Sequence, residues 1–309
     1  MATLKGKDIL HGNQFSKKDI DAIIENAAFF EKELRSKGSL NLLKRKILAT
    51  LFFEPSTRTR LSFEAAMQRL GGGVIAMGSV ESSSVVKGET LADTVRTVSQ
   101  YADVIVIRHP RTGSAREAAD CTPIPVINAG DGAGQHPTQA LLDIYTIRKE
   151  LGSLKNVVVA MVGDLKYGRT VHALVELLSL FGSRFYFVSP GSLRMPEEIT
   201  SGVKQKGIEI EETEDLFKAA SESDLLYVTR IQKERFADLA EYEHVKGSYI
   251  VDQDFLNRLK KEIVILHPLP RVDEISPEVD SYSGAAYFRQ VRNGVFVRMA
   301  LLAMIFGKR

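Results

Sequence analysis

Short runs of β-branched and aliphatic residues alternate along this chain with stretches of helical periodicity, and that alternation leaves few folds open. The runs fall at 47–53, 74–77, 104–107 and 126–127, then at 157–162, 185–188, 208–210, 225–228 and 263–266. Strand–helix–strand alternation predicts parallel sheets with helices on both faces. The expected class is α/β, with two domains, each a parallel β-sheet flanked by helices. The first domain spans 1–136, a linking helix 137–151 and the second domain 152–288, with the terminal segment 289–309 packing back on the first. Pro137 suits the start of the linking helix and Gly152 the position just past its end. Near the N-terminus, Ser16 reads as an N-cap, followed by a stripe of Ile20, Ile23, Ile24, Ala27, Ala28 and Leu34.

The length, 309 residues, suits about two domains. Such a chain can bury about three quarters of its unfolded surface, so its core needs no disulfide or metal. Hydrophobic residues are 44% and charged residues 26%, which excludes disordered, collagenous and disulfide-stapled classes. The single cysteine, Cys121, can form no internal disulfide or cysteine-built metal cluster and fits a reducing, cytoplasmic setting. The opening Met1-Ala2-Thr3-Leu4-Lys5-Gly6-Lys7-Asp8 lacks the apolar core of a signal peptide. The longest apolar run, 299–306, falls far short of the ~18 residues of a membrane span. Lys and Arg total 41 against 39 acidic residues, a net +2, so neither nucleic acid nor a membrane is expected as partner. An anionic ligand must be met by a local cluster of cations.

In open parallel sheets, ligands bind beyond the carboxyl ends of the strands. Glu54-Pro55-Ser56-Thr57-Arg58-Thr59-Arg60 follows the first run and leads into a helix. Arg108 and His109 follow the third. A glycine-rich stretch ending in His136-Pro137-Thr138-Gln139 follows the fourth. Gly163-Asp164-Leu165-Lys166-Tyr167-Gly168-Arg169-Thr170 follows the fifth, Thr229-Arg230-Ile231-Gln232 the eighth, and His267-Pro268-Leu269-Pro270-Arg271 the last. One arginine in such a place is usually a solvated side chain. Arg58, Arg108, Arg169 and Arg230 together predict a convergent site for a small, highly anionic substrate, because the guanidinium fork grips carboxylate or phosphate at two points.

The helix start at 56–59 offers free N–H groups and the positive end of the dipole. Hydroxyls interleaved with Arg58 and Arg60 make it a phosphate cradle, with plain N-capping as the alternative. His136 could donate to a carbonyl oxygen where negative charge develops, or be a hydrogen-bonded loop histidine. His109 and His267 precede prolines and read as extended turn residues, and His172 reads as a structural helix residue. The 163–170 loop has P-loop spacing with Arg169 in place of lysine. No later strand ends in an aspartate for Mg²⁺, and the middle glycine of a dinucleotide fingerprint is missing, so a nucleotide is the minor reading. Asp131, His136 and Asp143 do not have metal-ligand spacing, and no serine sits in a nucleophile elbow.

Phe52-Phe53-Glu54-Pro55-Ser56-Thr57-Arg58-Thr59-Arg60, His136-Pro137-Thr138-Gln139 and His267-Pro268-Leu269-Pro270 resemble, in order and over almost the whole chain, the motifs of the aspartate/ornithine carbamoyltransferase family. Three features resemble its aspartate-accepting branch: Pro268 where ornithine enzymes carry cysteine, the 163–169 loop, and Thr229-Arg230-Ile231-Gln232-Lys233-Glu234-Arg235. The resemblance implies transfer of the carbamoyl group of carbamoyl phosphate to L-aspartate, an early step of pyrimidine biosynthesis, in a cleft between a carbamoyl-phosphate-binding first domain and an aspartate-binding second domain. It implies that Ser56, Thr57, Arg58 and Thr59 hold the phosphate, and that Thr59, Arg108 and His136 surround the carbonyl oxygen. Gln139 and the backbone carbonyls of Leu269 and Pro270 would accept from the amide, with Leu269–Pro270 cis. Arg169, Arg230 and Gln232 would bind aspartate, joined by Lys87, which with Ser83 would come from the neighbouring subunit of a homotrimer. Arg58, Thr59, Arg108 and His136 form the implied catalytic set. No metal or other cofactor is implied, and separate regulatory chains are allowed. Val86 stands where relatives often carry a second lysine. The alternatives are a carbamoyltransferase for another amino acid and a non-catalytic two-domain anion-binding protein.

Overall fold

The computed structural model describes residues 4–78, 84–132, 134–232, 236 and 239–309. Ser83, and Lys233, Glu234 and Arg235 of the acceptor pattern, lie outside them. Two parallel sheets carry the fold. The first takes β1 (Ile47–Phe52), β2 (Gly73–Ala76), β3 (Val104–His109) and β4 (Val126–Asp131) in the order β2-β1-β3-β4. The second takes β5 (Val158–Val162), β6 (Arg184–Val188), β7 (Ile210–Thr213), β8 (Leu225–Val228) and β9 (Val264–Leu266) in the order β7-β6-β5-β8-β9. Every neighbouring pair is parallel, which requires a crossover between strands. The helices of the first part of the chain are α1 (Lys17–Lys37), α2 (Thr57–Arg69), α3 (Leu91–Val98), α4 (Ser114–Asp120) and α5 (Pro137–Leu151). Then come α6 (Arg169–Ser179), α7 (Glu197–Gln205), α8 (Leu216–Glu222), α9 (Leu239–Val245), α10 (Gln253–Leu259) and α11 (Tyr287–Ile305). One compact unit comprises the chain up to Tyr145 together with Val291–Arg309, the other Thr146–Gln290.

Local chemistry accounts for many element ends. Ser16 accepts from the Asp19 N–H while Asp19 reaches back, a capping box, and Gly38 closes α1 at φ 70°. Ile20, Ile23, Ala27 and Phe30 form its buried stripe, whereas Ala28 is exposed. Thr90, Asp215 and Asp252 cap α3, α8 and α10 through their side chains. Against one sheet face Ala49, Leu51, Ile105 and Ile107 pack with Val95, Ala115 and Ala118. In the second unit Ala160, Val162, Leu226 and Val228 pack with Ala219, Phe255 and Leu256. Each fully buried Val, Leu or Ile side chain among these contributes about 1.5–3 kcal/mol.

Two strands run further than the apolar pattern suggests. β4 continues through Asn128 to Asp131, all of it buried. The polar residues fit because they are paired: Asn128 Nδ2 donates to the Leu10 carbonyl and to Asp131 at 3.1 Å, and its Oδ1 accepts from the Gly130 N–H at 2.8 Å. β3 likewise includes Arg108 and His109 rather than ending before them. β7 lies at 210–213, two residues beyond its expected start, on the sheet edge.

Candidate active site

In the first unit the chain runs from β1 outward to β2 and then crosses to β3, so the switch in strand order falls between β1 and β3. Ligand crevices open at such points, beyond the strand ends. The residues there are those of the 54–59 segment and Arg108. Ser56 holds the N-cap position of α2, yet its side chain makes no capping bond, unlike Ser16, Thr90, Asp215 and Asp252. Its hydroxyl is therefore not spent on the first turn. Thr57 and Arg58 are exposed beside it. Arg60 leaves the cradle: it binds Glu64 at 2.8 Å, one turn on, and Glu64 also accepts from Thr50 at 3.1 Å.

Arg108 is 9% exposed and clamped. Nη2 donates to Glu54 at 2.6 Å and Nη1 to the Ala129 carbonyl at 3.2 Å. Glu54 thus fixes a guanidinium at the end of β3, a role that nothing in the 54–60 segment alone indicates. Thr59 Oγ1 and His136 Nε2 lie 3.5 Å apart, both buried. The loop before His136 is organised by Asp131, whose carboxylate accepts from the Gln135 N–H at 2.8 Å and the Gly113 N–H at 2.9 Å. Its glycines serve close approach: Gly132 has φ 54°, and a Cβ there would lie 2.6 Å from the Pro110 carbonyl oxygen. Gln139 follows on the first turn of α5, its N–H bonded to the His136 carbonyl at 3.0 Å. Lys87 ends the 3₁₀ turn Ser84–Lys87 and is exposed.

In the second unit the chain leaves β5 toward β6 and β7 and crosses to β8, so the switch lies between β5 and β8. Arg169 begins α6 after β5, and Arg230 and Gln232 follow β8; all three are half-buried. The P-loop-like glycines have a different cause. A Cβ at Gly163, φ 110°, would stand 2.1 Å from the Thr229 carbonyl oxygen, and one at Gly168 2.5 Å from that of Asp164. They let backbone approach backbone. Asp164, fully buried, accepts from the Tyr167 N–H at 2.9 Å and from Gln232 Nε2 at 3.4 Å, tying the two loops together. Burial pushes its carboxyl up, against the pull of these hydrogen bonds.

His267 is no mere turn residue. Its Nδ1 accepts from the Leu269 N–H at 2.7 Å, so Nε2 carries the proton and donates to Glu274, also at 2.7 Å. The pair holds Leu269 at φ 52°, before a cis bond to Pro270. Burial acts to raise the Glu274 carboxyl, but the hydrogen bonds from His267 and the backbone prevail and hold it below its ordinary 4.5. A carboxyl with a depressed native pKa stabilises the fold above its ordinary range and loses that contribution as pH falls through its native value. Glu274→Gln should therefore melt below the parent near neutrality, with the gap closing on acidification; a gap constant from about pH 7 to about pH 3 would contradict this.

Among the described residues no cluster of three or more His, Cys, Asp or Glu could hold a metal, and no helix is long and apolar enough to cross a membrane. The first unit holds hydroxyls, helix N–H groups and guanidinium that could meet a phosphate, and Thr59, Arg108 and His136 are side chains able to donate to an oxyanion. The second offers guanidinium groups to carboxylates.

The carbamoyl-P binding domain of aspartate/ornithine carbamoyltransferase matches residues 7–149, and the Asp/Orn binding domain matches 155–305. The aspartate carbamoyltransferase catalytic subunit of Thermococcus gammatolerans is 57% identical over 302 residues, 98% of each chain. The catalytic subunit of M. jannaschii aspartate transcarbamoylase superposes with a TM-score of 0.91 at 52% identity, covering 98% of this chain and 99% of that one. Aspartate transcarbamoylase from Trypanosoma cruzi, in complex with carbamoyl phosphate and aspartate, gives 0.93 at 46% identity, covering 98% and 97%. With both domains matched in order along a single chain, this protein belongs to the aspartate/ornithine carbamoyltransferase family.

Proposed function

We infer that this chain transfers the carbamoyl group of carbamoyl phosphate to the amino group of L-aspartate, giving N-carbamoyl-L-aspartate and phosphate. The observation that carries this is the start of α2, where Ser56, whose hydroxyl makes no capping bond, and an exposed Arg58 stand beside the Thr59–His136 pair and the clamped Arg108. The T. cruzi relative, solved with both substrates, supports the same reading.

Ser56, Thr57, Arg58 and Thr59 take the phosphate. Thr59, Arg108 and His136 face the carbonyl oxygen, and Gln139 with the Leu269 and Pro270 carbonyls accepts from the amide. Arg169, Arg230 and Gln232 hold the two carboxylates of aspartate. The amine lone pair attacks the carbonyl carbon, and charge grows on the oxygen that the donors face. The bond to the phosphate oxygen then breaks, and the departing phosphate takes the amine proton. Both substrates are anions, so cations first offset their repulsion. Holding amine and carbonyl at attack distance can lower the barrier by ~7–11 kcal/mol, and each preorganised oxyanion donor adds ~2.7–4 kcal/mol. Glu54 contributes by fixing Arg108 in advance. We further propose a homotrimer in which Lys87, with Ser83, serves the neighbour's site. A cytoplasmic setting, with Cys121 reduced, fits the single free thiol.

The direct test mixes the chain with carbamoyl phosphate and L-aspartate and follows carbamoyl-aspartate and phosphate, with L-ornithine as control acceptor. No product from aspartate would refute the assignment. The acceptor half is tested separately. Arg230→Ala should raise the aspartate KM by about tenfold or more, the loss expected for a charge-assisted bond, while calorimetry still detects carbamoyl-phosphate binding. Lost carbamoyl-phosphate binding with an unchanged aspartate KM would reverse that division of labour.

A further inference from the structure

β4 ends on Asp131, a carboxylate only 3% exposed. Among the described residues it forms no ion pair, and its hydrogen-bond partners are neutral N–H groups. Oδ1 accepts from the Gln135 N–H at 2.8 Å and from Asn128 Nδ2 at 3.1 Å, and Oδ2 accepts from the Gly113 N–H at 2.9 Å. A buried carboxylate without a counter-charge is a costly way to close a turn. An asparagine is neutral, but it accepts at one atom and donates at the other. Whichever way its amide turned, one of the two backbone N–H groups would meet an NH₂ instead of an oxygen. The chain also makes room for the carboxylate: a Cβ at Gly134 would stand 2.8 Å from Asp131 Oδ1.

The two backbone partners lie on different segments. Gly113 closes the turn between β3 and α4, and Gln135 directly precedes His136. Between them the Gly132 N–H donates to the His109 carbonyl at 2.9 Å, a second tie to the end of β3. Beyond His136, its own carbonyl accepts from the Gln139 and Ala140 N–H groups at 3.0 and 3.3 Å, at the start of α5. The backbone is thus held on both sides of His136, by the helix after it and by Asp131 before it. A side chain's rotamer follows its backbone, and the buried ring stands with Nε2 3.5 Å from Thr59 Oγ1. We propose that Asp131 is a positioning residue for the reaction: it anchors the turn before His136 to the turn after β3, and so fixes the imidazole where charge develops on the carbonyl oxygen. The proposal rests on the functional reading above. Asp131 acts through His136 rather than on the substrate. A donor displaced by about 1 Å can cost about 10²-fold in rate.

Asp131→Asn keeps the size of the side chain and turns one acceptor into a donor. Its kcat should fall about 10²-fold, while calorimetry finds the affinity for inorganic phosphate, taken by the start of α2, unchanged. The discriminating measurement is a cycle with His136→Ala, itself expected to be about 10²–10³-fold slower than the parent. Adding Asp131→Asn to His136→Ala should lower kcat by no more than about twofold further, because the group it positions is already gone. A carboxylate that served only structure would lower kcat by the same factor in both backgrounds or weaken phosphate as well. Gly134→Ala repeats the cycle with every charge in place, by pressing a methyl group toward Oδ1, should the asparagine variant not fold. A folded Asp131→Asn chain with near-parental kcat, or an equal loss with and without His136, overturns the proposal alone. A parent chain that makes no carbamoyl-aspartate, or a His136→Ala chain as fast as the parent, overturns it together with the functional reading on which it rests.

Discussion

Arg58→Ala should turn over carbamoyl phosphate and L-aspartate at least ~10²-fold more slowly than the parent, while its melting temperature stays nearly the same. Arg58 is exposed on the first turn of α2, so its removal opens no cavity in the core. On the proposed function, what it removes is a charge-assisted contact to the phosphate whose departure defines the reaction. Arg108 makes the useful contrast. It is 9% exposed and bound to Glu54 and the Ala129 carbonyl, so Arg108→Ala should cost stability as well as rate, because it breaks both bonds and removes a buried side chain. Paired melting curves and steady-state rates separate the two cases. A folded Arg58→Ala chain with near-parental turnover would remove the phosphate cradle from the mechanism.

Lys87→Ala and Arg58→Ala, each nearly inactive alone, should restore one another when dissociated, mixed in equal amounts and reassembled. In a head-to-tail trimer each site takes Arg58 from one chain and Lys87 from the next. Any trimer containing both variants then has one site with both residues intact. Random reassembly makes about three quarters of the trimers mixed, each with one good site in three, so activity should return to roughly a quarter of the parental value. A site built within one chain cannot be repaired this way. Mixed trimers confirmed by mass but still inactive would place Lys87 in its own subunit's site or in none. Val86 beside it is exposed, and nothing in the structure explains its place in the loop.

The strand runs were readable because apolar, β-branched segments stand out between helical periods. Arg108 shows where that signal fails. It reads as the first residue beyond a strand, yet it lies within β3 and pairs with Phe52 of β1. The apolar criterion ended the strand at the first charge, and only Glu54 and the Ala129 carbonyl make a guanidinium tolerable there. The 163–170 loop shows the converse. Its glycines imitate a phosphate-binding pattern, but their spacing answers to the Thr229 and Asp164 carbonyl oxygens, which a linear motif cannot weigh.

The alternation of elements, the caps of α1 and α3, the cations after the strands and the family motifs were all present in the linear sequence, because each depends on residues a few positions apart. Strand order was not. It is set by which apolar faces pair across long connections, and it alone puts the switch points beside Arg108 in one sheet and between Gly163 and Thr229 in the other. The carboxylates that hold the candidate site side chains were equally hidden. Glu54 meets Arg108 from 54 residues away, and Asp164 meets Gln232 from 68. A buried polar group is tolerated only with its partner in place. At such separations only the tertiary structure determines who that partner is.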